Sequence, residues 1–226
     1  MTDNPTPKLY AEAVGTFALT FVGAGAIWVT GDDLLAVATA HGLILAVMVT
    51  ATMNISGAHI NPAITIGFMA TKRIETKLGW MYIGSQLAGA LIAGAILYSI
   101  GAGGVGTPAP GEFPGLNGGP VATEQAILIE AVLTFLLMTV IMGTAVDNRA
   151  PAGIAGFGIG LVVMADILMG GPLTGAAMNP ARWAGVWAFG DMENNIDLII
   201  YTVGPIMGAL LGVLLWDKMT LIEEAD

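Results

Sequence analysis

Asn61 and Asn179 are the residues whose surroundings point most directly to a chemical role. Each opens an Asn-Pro-Ala triplet, Asn61-Pro62-Ala63 and Asn179-Pro180-Ala181, within the matching stretches "SGAHINPA" and "TGAAMNPA". Proline suits the first turn of a helix, where the N–H it lacks would have no partner, and asparagine before it is a good N-cap. Each triplet therefore predicts the start of a helix. The asparagine amide is neutral and offers both donors and an acceptor, and the helix N-terminus adds a positive dipole end. The chemistry on offer is hydrogen bonding to a polar, uncharged group, with no covalent step. One copy would be an ordinary turn, but two copies, each preceded by Gly-Ala, imply a shared purpose.

The other groups able to do chemistry are few. There is no cysteine, and there are only two histidines, His41 and His59. No nucleophile–base pair, metal-ligand cluster or cofactor motif is present, so the reading is a non-enzyme with no metal and no cofactor. The glycine-rich stretches "GSQLAGALIAG" and "GPIMGALLG" follow no strand, which rules out a nucleotide loop and leaves close packing between helices.

The elements that must hold these residues follow from composition. Of 226 residues, 55% are hydrophobic and 11% charged, against about a quarter charged in a soluble domain. The fold expected is an all-α membrane protein. Six segments, 8–29, 34–54, 79–100, 123–146, 152–170 and 196–216, are long and apolar enough to cross a bilayer. A net charge of −10 argues against nucleic acid as a partner.

With the N-terminus in the cytoplasm, Lys8, Lys72, Arg73, Lys77, Arg149 and Lys218 all fall inside, as the positive-inside rule asks. Asp32, Asp33, Glu112, Asp191 and Glu193 fall outside, and Arg182 is the lone outer cation. A Gly/Pro-rich linker, 101–122, joins two repeats, 8–100 and 123–217, within one transmembrane domain, 1–226. Glu12 and Glu130 stand 118 residues apart, as do Asn61 and Asn179, and "EAVGTF" answers "EAVLTF". Three spans per repeat turn the second copy upside down, an inverted repeat that puts a site near the midplane.

The stretches after the triplets, 63–70 and 181–189, are too short to span. They read as re-entrant half-helices, each entered by an extended segment: Gly57, Ala58, His59 and Ile60 in one half, Gly175, Ala176, Ala177 and Met178 in the other. Irregular backbone at that depth must line a wet cavity or be buried in protein. The half-helices would then meet N-terminus to N-terminus, with both asparagine amides at the centre.

Paired Asn-Pro-Ala motifs, a glutamate in the first and fourth spans and Arg182 directly after the second motif resemble the aquaporin family of major intrinsic proteins. The resemblance covers all six spans. It implies a homotetramer in the lipid bilayer of the cell membrane, multi-pass, with both termini cytoplasmic and one pore per subunit. It also implies that Glu12 and Glu130 support the extended segments, in place of the proton relay that intramembrane acids otherwise suggest.

Counted from the motifs, the family's narrow filter falls on His41, Ile167, Ala176 and Arg182, a set similar to plant vacuolar-type members. The expected function is a channel for water, with ammonia, urea or other small neutral solutes as extras, closed to protons and ions. The alternatives are a glycerol facilitator and an ion-coupled transporter. His41 and His59 are candidates for pH dependence, and His59 either meets the water column or braces its loop. Asp166, beside Ile167, faces a subunit contact or reaches the outer interface.

Overall fold

A long apolar run in lipid folds as a helix because every backbone N–H and C=O must then be satisfied within the segment. The computed structural model describes residues 4–31, 33–102, 121–190 and 195–223. Its described residues form eight α-helices and no strand: α1 (Thr6–Thr30), α2 (Leu34–Ser56), α3 (Pro62–Ala70), α4 (Thr76–Ser99), α5 (Thr123–Ile141), α6 (Ile154–Thr174), α7 (Pro180–Trp187) and α8 (Asn195–Glu223). Six of these are long and apolar enough to cross a membrane, and α3 and α7 are not. Nearly all of the linker, 103–120, lies outside the described residues, as do Asp32, Asp191 and Glu193.

Several helix ends differ from the sequence expectation, the furthest being that of α8, which runs to Glu223 where 216 is expected. The stretch Gly170-Gly171-Pro172 predicts a stop at 170, yet α6 runs through Pro172 to Thr174. It ends there because Gly175 turns left-handed at φ 77° and returns its N–H to the carbonyl of Gly171. The span that begins with α5 does reach Val146, but its last turn, Met142–Val146, widens to π geometry.

The halves pack by the same scheme. α1 lies on α2 and α4, and α5 correspondingly lies on α6 and α8; α3 rests on α8 and α7 on α4. Where α2 crosses α6, a Cβ on Gly42 would meet the Gly160 carbonyl, and one on Gly160 would meet the Gly42 carbonyl. These two glycines are themselves 118 apart. Gly89 and Gly208 admit the carbonyls of Ala13 and Ala131 in the same way, so the glycine stretches are indeed packing surfaces. Gly84 is the exception, with open space beside it. Large apolar side chains such as Leu43, Val47, Leu128, Leu161 and Leu211 face outward and exposed, the surface expected of helices set in lipid.

Candidate functional site

The site is built on two loops that the helices cannot continue through. After α2, Gly57, Ala58 and Ile60 take φ of 88°, 51° and 54°; after α6, Gly175, Ala176 and Met178 take 77°, 45° and 52°. These segments are therefore not extended strands, as the sequence suggests, but chains of left-handed turns. A non-glycine residue held there costs of order 1–3 kcal/mol and persists only where its surroundings over-determine it.

Two glutamates supply that determination. Glu12 accepts from Ser56 Oγ at 2.6 Å and His59 N at 2.9 Å on one oxygen. On the other it accepts from Ile60 N at 2.6 Å and Gln86 Nε2 at 2.7 Å. Glu130 accepts from Thr174 Oγ1 at 2.7 Å, Ala177 N at 2.9 Å and Met178 N at 2.7 Å. Tyr82 and Tyr201 close each cradle by donating to the carbonyls of Ser56 and Thr174 at 2.8 and 2.6 Å.

At the centre the loops hold each other. Asn61 caps α3, its Oδ1 accepting from Ala63 N, and donates Nδ2 to the carbonyl of Met178 at 2.8 Å. Asn179 caps α7, accepting from Ala181 N and Arg182 N, and donates Nδ2 to the carbonyl of Ile60 at 2.8 Å. Each amide keeps one N–H without a partner among the described residues. Both asparagines line a cavity of about 200 Å³. Pro62, Ala63, Pro180 and Ala181 are buried in the half-helices and do not line it.

Arg182 sits in the first turn of α7 and also lines the cavity. It donates Nε to Ala177 O at 3.3 Å and Nη2 to Ala176 O at 2.8 Å and Gly175 O at 3.5 Å. Its Nη1 lies 3.0 Å from Nε2 of His41. His41 Nδ1 is 2.9 Å from the carbonyl of Val37, which can only accept, so Nδ1 carries the hydrogen and Nε2 takes the one from Arg182. Ile167 lines the same cavity, as do Gly57, Ala58, Ile60, Ala177 and Met178. Gly175 and Ala176 stand outside the lining and serve through their carbonyls.

His59 does both things the sequence left open: it lines the cavity and braces its loop, with Nδ1 3.1 Å from Thr65 Oγ1 and its ring edge-on to Phe68 and Tyr82. Asp166 does neither of the things expected of it. It is 3% exposed within the single chain, so it presents no surface to a second copy or to the outer interface. Its Oδ2 has no hydrogen-bond partner among the described residues. Sequence reasoning passed over Ser56, Thr65, Tyr82, Gln86, Thr174 and Tyr201. The offset of 118 between Ser56 and Thr174 was the available signal, along with a glutamine inside an otherwise apolar span.

Six spanning helices, with two half-helices meeting at their caps beside a lined cavity, define a helical membrane protein organised around an internal passage. Residues 3–216 match the Major intrinsic protein family. "Aquaporin TIP4-4" of Zea mays is 38% identical over 230 residues, covering 94% of this chain and 86% of that one. "Aquaporin AqpM" of Methanothermobacter thermautotrophicus is 38% identical over 249 residues, covering 95% and 98%. The fold also matches the X-ray structure of the aquaglyceroporin from Plasmodium falciparum, with a TM-score of 0.82 at 23% identity over 97% of this chain and 98% of that one. The chain belongs to the major intrinsic protein family, the aquaporins, and is a multi-pass membrane channel for water or small neutral solutes, not an enzyme.

Proposed function

We propose that the chain is a passive water channel that also admits ammonia, urea or similarly small neutral solutes and excludes protons and ions. The observation that carries this reading is the pair of capped asparagines, each with one N–H left over, facing one cavity. A water at that point accepts from both amides and must turn its own hydrogens outward, so a hydrogen-bonded proton wire has opposite polarity on its two sides. The N-termini of α3 and α7 add positive potential there. Aquaporins are the worked case of selectivity by lining groups, an arginine and half-helix dipoles, and the same physics is applied to these residues.

His41, Ile167, Ala176 and Arg182 form the filter in this reading. Arg182 repels cations, while Ile167 and the small Ala176 supply no bulky aromatic wall of the kind a glycerol facilitator uses. The functional unit is a homotetramer in the cell membrane, with the termini cytoplasmic and the two repeats, 8–100 and 123–217, forming a single channel domain.

Stopped-flow light scattering on proteoliposomes tests the proposal. Osmotic shrinkage should exceed that of empty liposomes severalfold, and re-swelling should be faster in ammonium or urea gradients than in glycerol. Shrinkage no faster than in empty liposomes overturns it. Glycerol re-swelling as fast as that with urea would make the chain a glycerol facilitator, and solute uptake driven by a proton gradient would make it a coupled transporter.

A further inference from the structure

Around Thr65 the hydrogens can be counted. Its Oγ1 lies 3.0 Å from the carbonyl of Asn61, 3.0 Å from Nε2 of Gln86 and 3.1 Å from Nδ1 of His59. The carbonyl has no hydrogen to give, so the single hydroxyl hydrogen must point at it, or two oxygens would face each other lone pair to lone pair. The hydroxyl oxygen then only accepts from its other two neighbours. Gln86 meets this with one amide hydrogen while its other goes to Glu12 Oε2 at 2.7 Å. His59 can meet it only with a hydrogen on Nδ1, which leaves Nε2 bare.

The orientation of Gln86 is not free either. Turning its amide over would set a carbonyl oxygen against Thr65 Oγ1, whose one hydrogen is already given to Asn61. As it stands, Gln86 Oε1 is buried with no partner among the described residues. An orphaned acceptor of this kind is unfavourable, and it is what presenting N–H to both Glu12 and Thr65 entails.

The arrangement has no twin. The positions 118 residues beyond His59, Thr65 and Gln86 are Ala177, Trp183 and Gly204. The other imidazole, His41, has its acceptor nitrogen occupied by Arg182. α2 carries His41 near one end and Ser56, beside the His59 loop, at the other, a separation of about 22 Å at 1.5 Å per residue. One half of the passage therefore offers a guanidinium, and the other an open acceptor.

We propose that Gln86 and Thr65 are positioning residues that hold His59 with its hydrogen on Nδ1, so that Nε2 accepts from the O–H or N–H groups of small neutral solutes, water or a primary amide. The assignment of solutes rests on the channel reading above, but the tautomer does not.

The test is solid-state NMR of ¹⁵N-histidine-labelled protein in lipid bilayers, with His59 assigned by difference from His59→Asn, combined with urea and water permeabilities of the same variants. The wild type and Thr65→Ser should show His59 as the Nδ1–H tautomer. Thr65→Val, which keeps the shape and removes the acceptor, should lose that single state. Its urea permeability should fall about fivefold, the factor one neutral hydrogen bond carries, and Thr65→Ser should restore it. A wild-type His59 with its hydrogen on Nε2 overturns the proposal even if no variant folds, and so does an unchanged tautomer or urea permeability in Thr65→Val. If instead the wild type shows no water flux while its tautomer is as described, the channel reading fails and the positioning role stands.

Discussion

His41 and Arg182, 141 positions apart, share a hydrogen bond from Nη1 to Nε2 at 3.0 Å, and the ring reaches it only because Gly23 has no side chain. A Cβ on Gly23 would collide with the edge of the imidazole. Gly23→Ala should therefore displace His41 from Arg182, lower osmotic permeability and reduce stability by about 1–3 kcal/mol, the usual range for overpacking. Gly23→Ala combined with His41→Ala removes the collision, and its unfolding midpoint in detergent should recover towards that of His41→Ala alone.

Each of the two central asparagines caps its own helix and also ties the other's loop. Asn61→Ala and Asn179→Ala should each cost about 1–3 kcal/mol, through a lost cap and an unpaired buried carbonyl. Both bonds join the same pair of loops, so the double variant should cost less than the two singles together. A thermal-unfolding double-mutant cycle measures the coupling, and strict additivity would contradict it.

The glutamate cradles make a sharper demand on stability. Glu12→Gln brings an NH₂ group against donors from Ser56, His59, Ile60 and Gln86, and Glu130→Gln does so against Thr174, Ala177 and Met178. A loss of about 3 kcal/mol or more is expected for each, the scale for charged hydrogen-bonded groups left mismatched. Ser56→Ala and Thr174→Ala, which remove one donor each, should cost about 1 kcal/mol. Size-exclusion chromatography and unfolding midpoints rank the four.

Acid should act at two separable places. A proton arriving on His41 Nε2 would set N–H against the N–H of Arg182 and detach the ring, so acid-dependent flux in the wild type should vanish in His41→Ala. Asp147 lies beyond the span, where hydrogen bonds from Arg149 hold its carboxyl down at about 2. A carboxyl depressed in the folded state contributes above its unfolded value and loses that contribution as pH falls through the folded one. Its contact with Arg149 should thus persist to about pH 2. Asp147→Asn should leave the flux profile between pH 4 and 7 unchanged in stopped-flow measurements.

The parts of the site legible in the sequence are those the two halves share. Glu12 and Glu130, and Asn61 and Asn179, announce themselves by their common offset, and the cavity wall repeats it in Leu19 and Leu137. The groups that distinguish one end from the other sit where the repeat is broken: Arg182 answers Ile64, His41 answers Ile159 and His59 answers Ala177, and all six line the cavity. Arg182 and His41 were placed in the filter by the family resemblance, counted from the motifs. Thr65 and Gln86 were not, because a threonine or glutamine in a helix carries no periodic signal and its worth depends on neighbours 4 to 74 positions away. The loops were misread as extended because alternating left-handed turns at Ala58 and Ile60 come from the glutamate beneath them, not from local preference.

The exchange of carbonyls and amides between the two asparagine loops makes neither half self-sufficient. A chain severed anywhere between 102 and 121 yields two fragments, each holding one member of both central bonds and one of the two interlocking glycines. Alone in a bilayer, either fragment leaves its hairpin tip without company. Put together, the two fragments are obligate mates, each completing what the other's asparagine leaves undone.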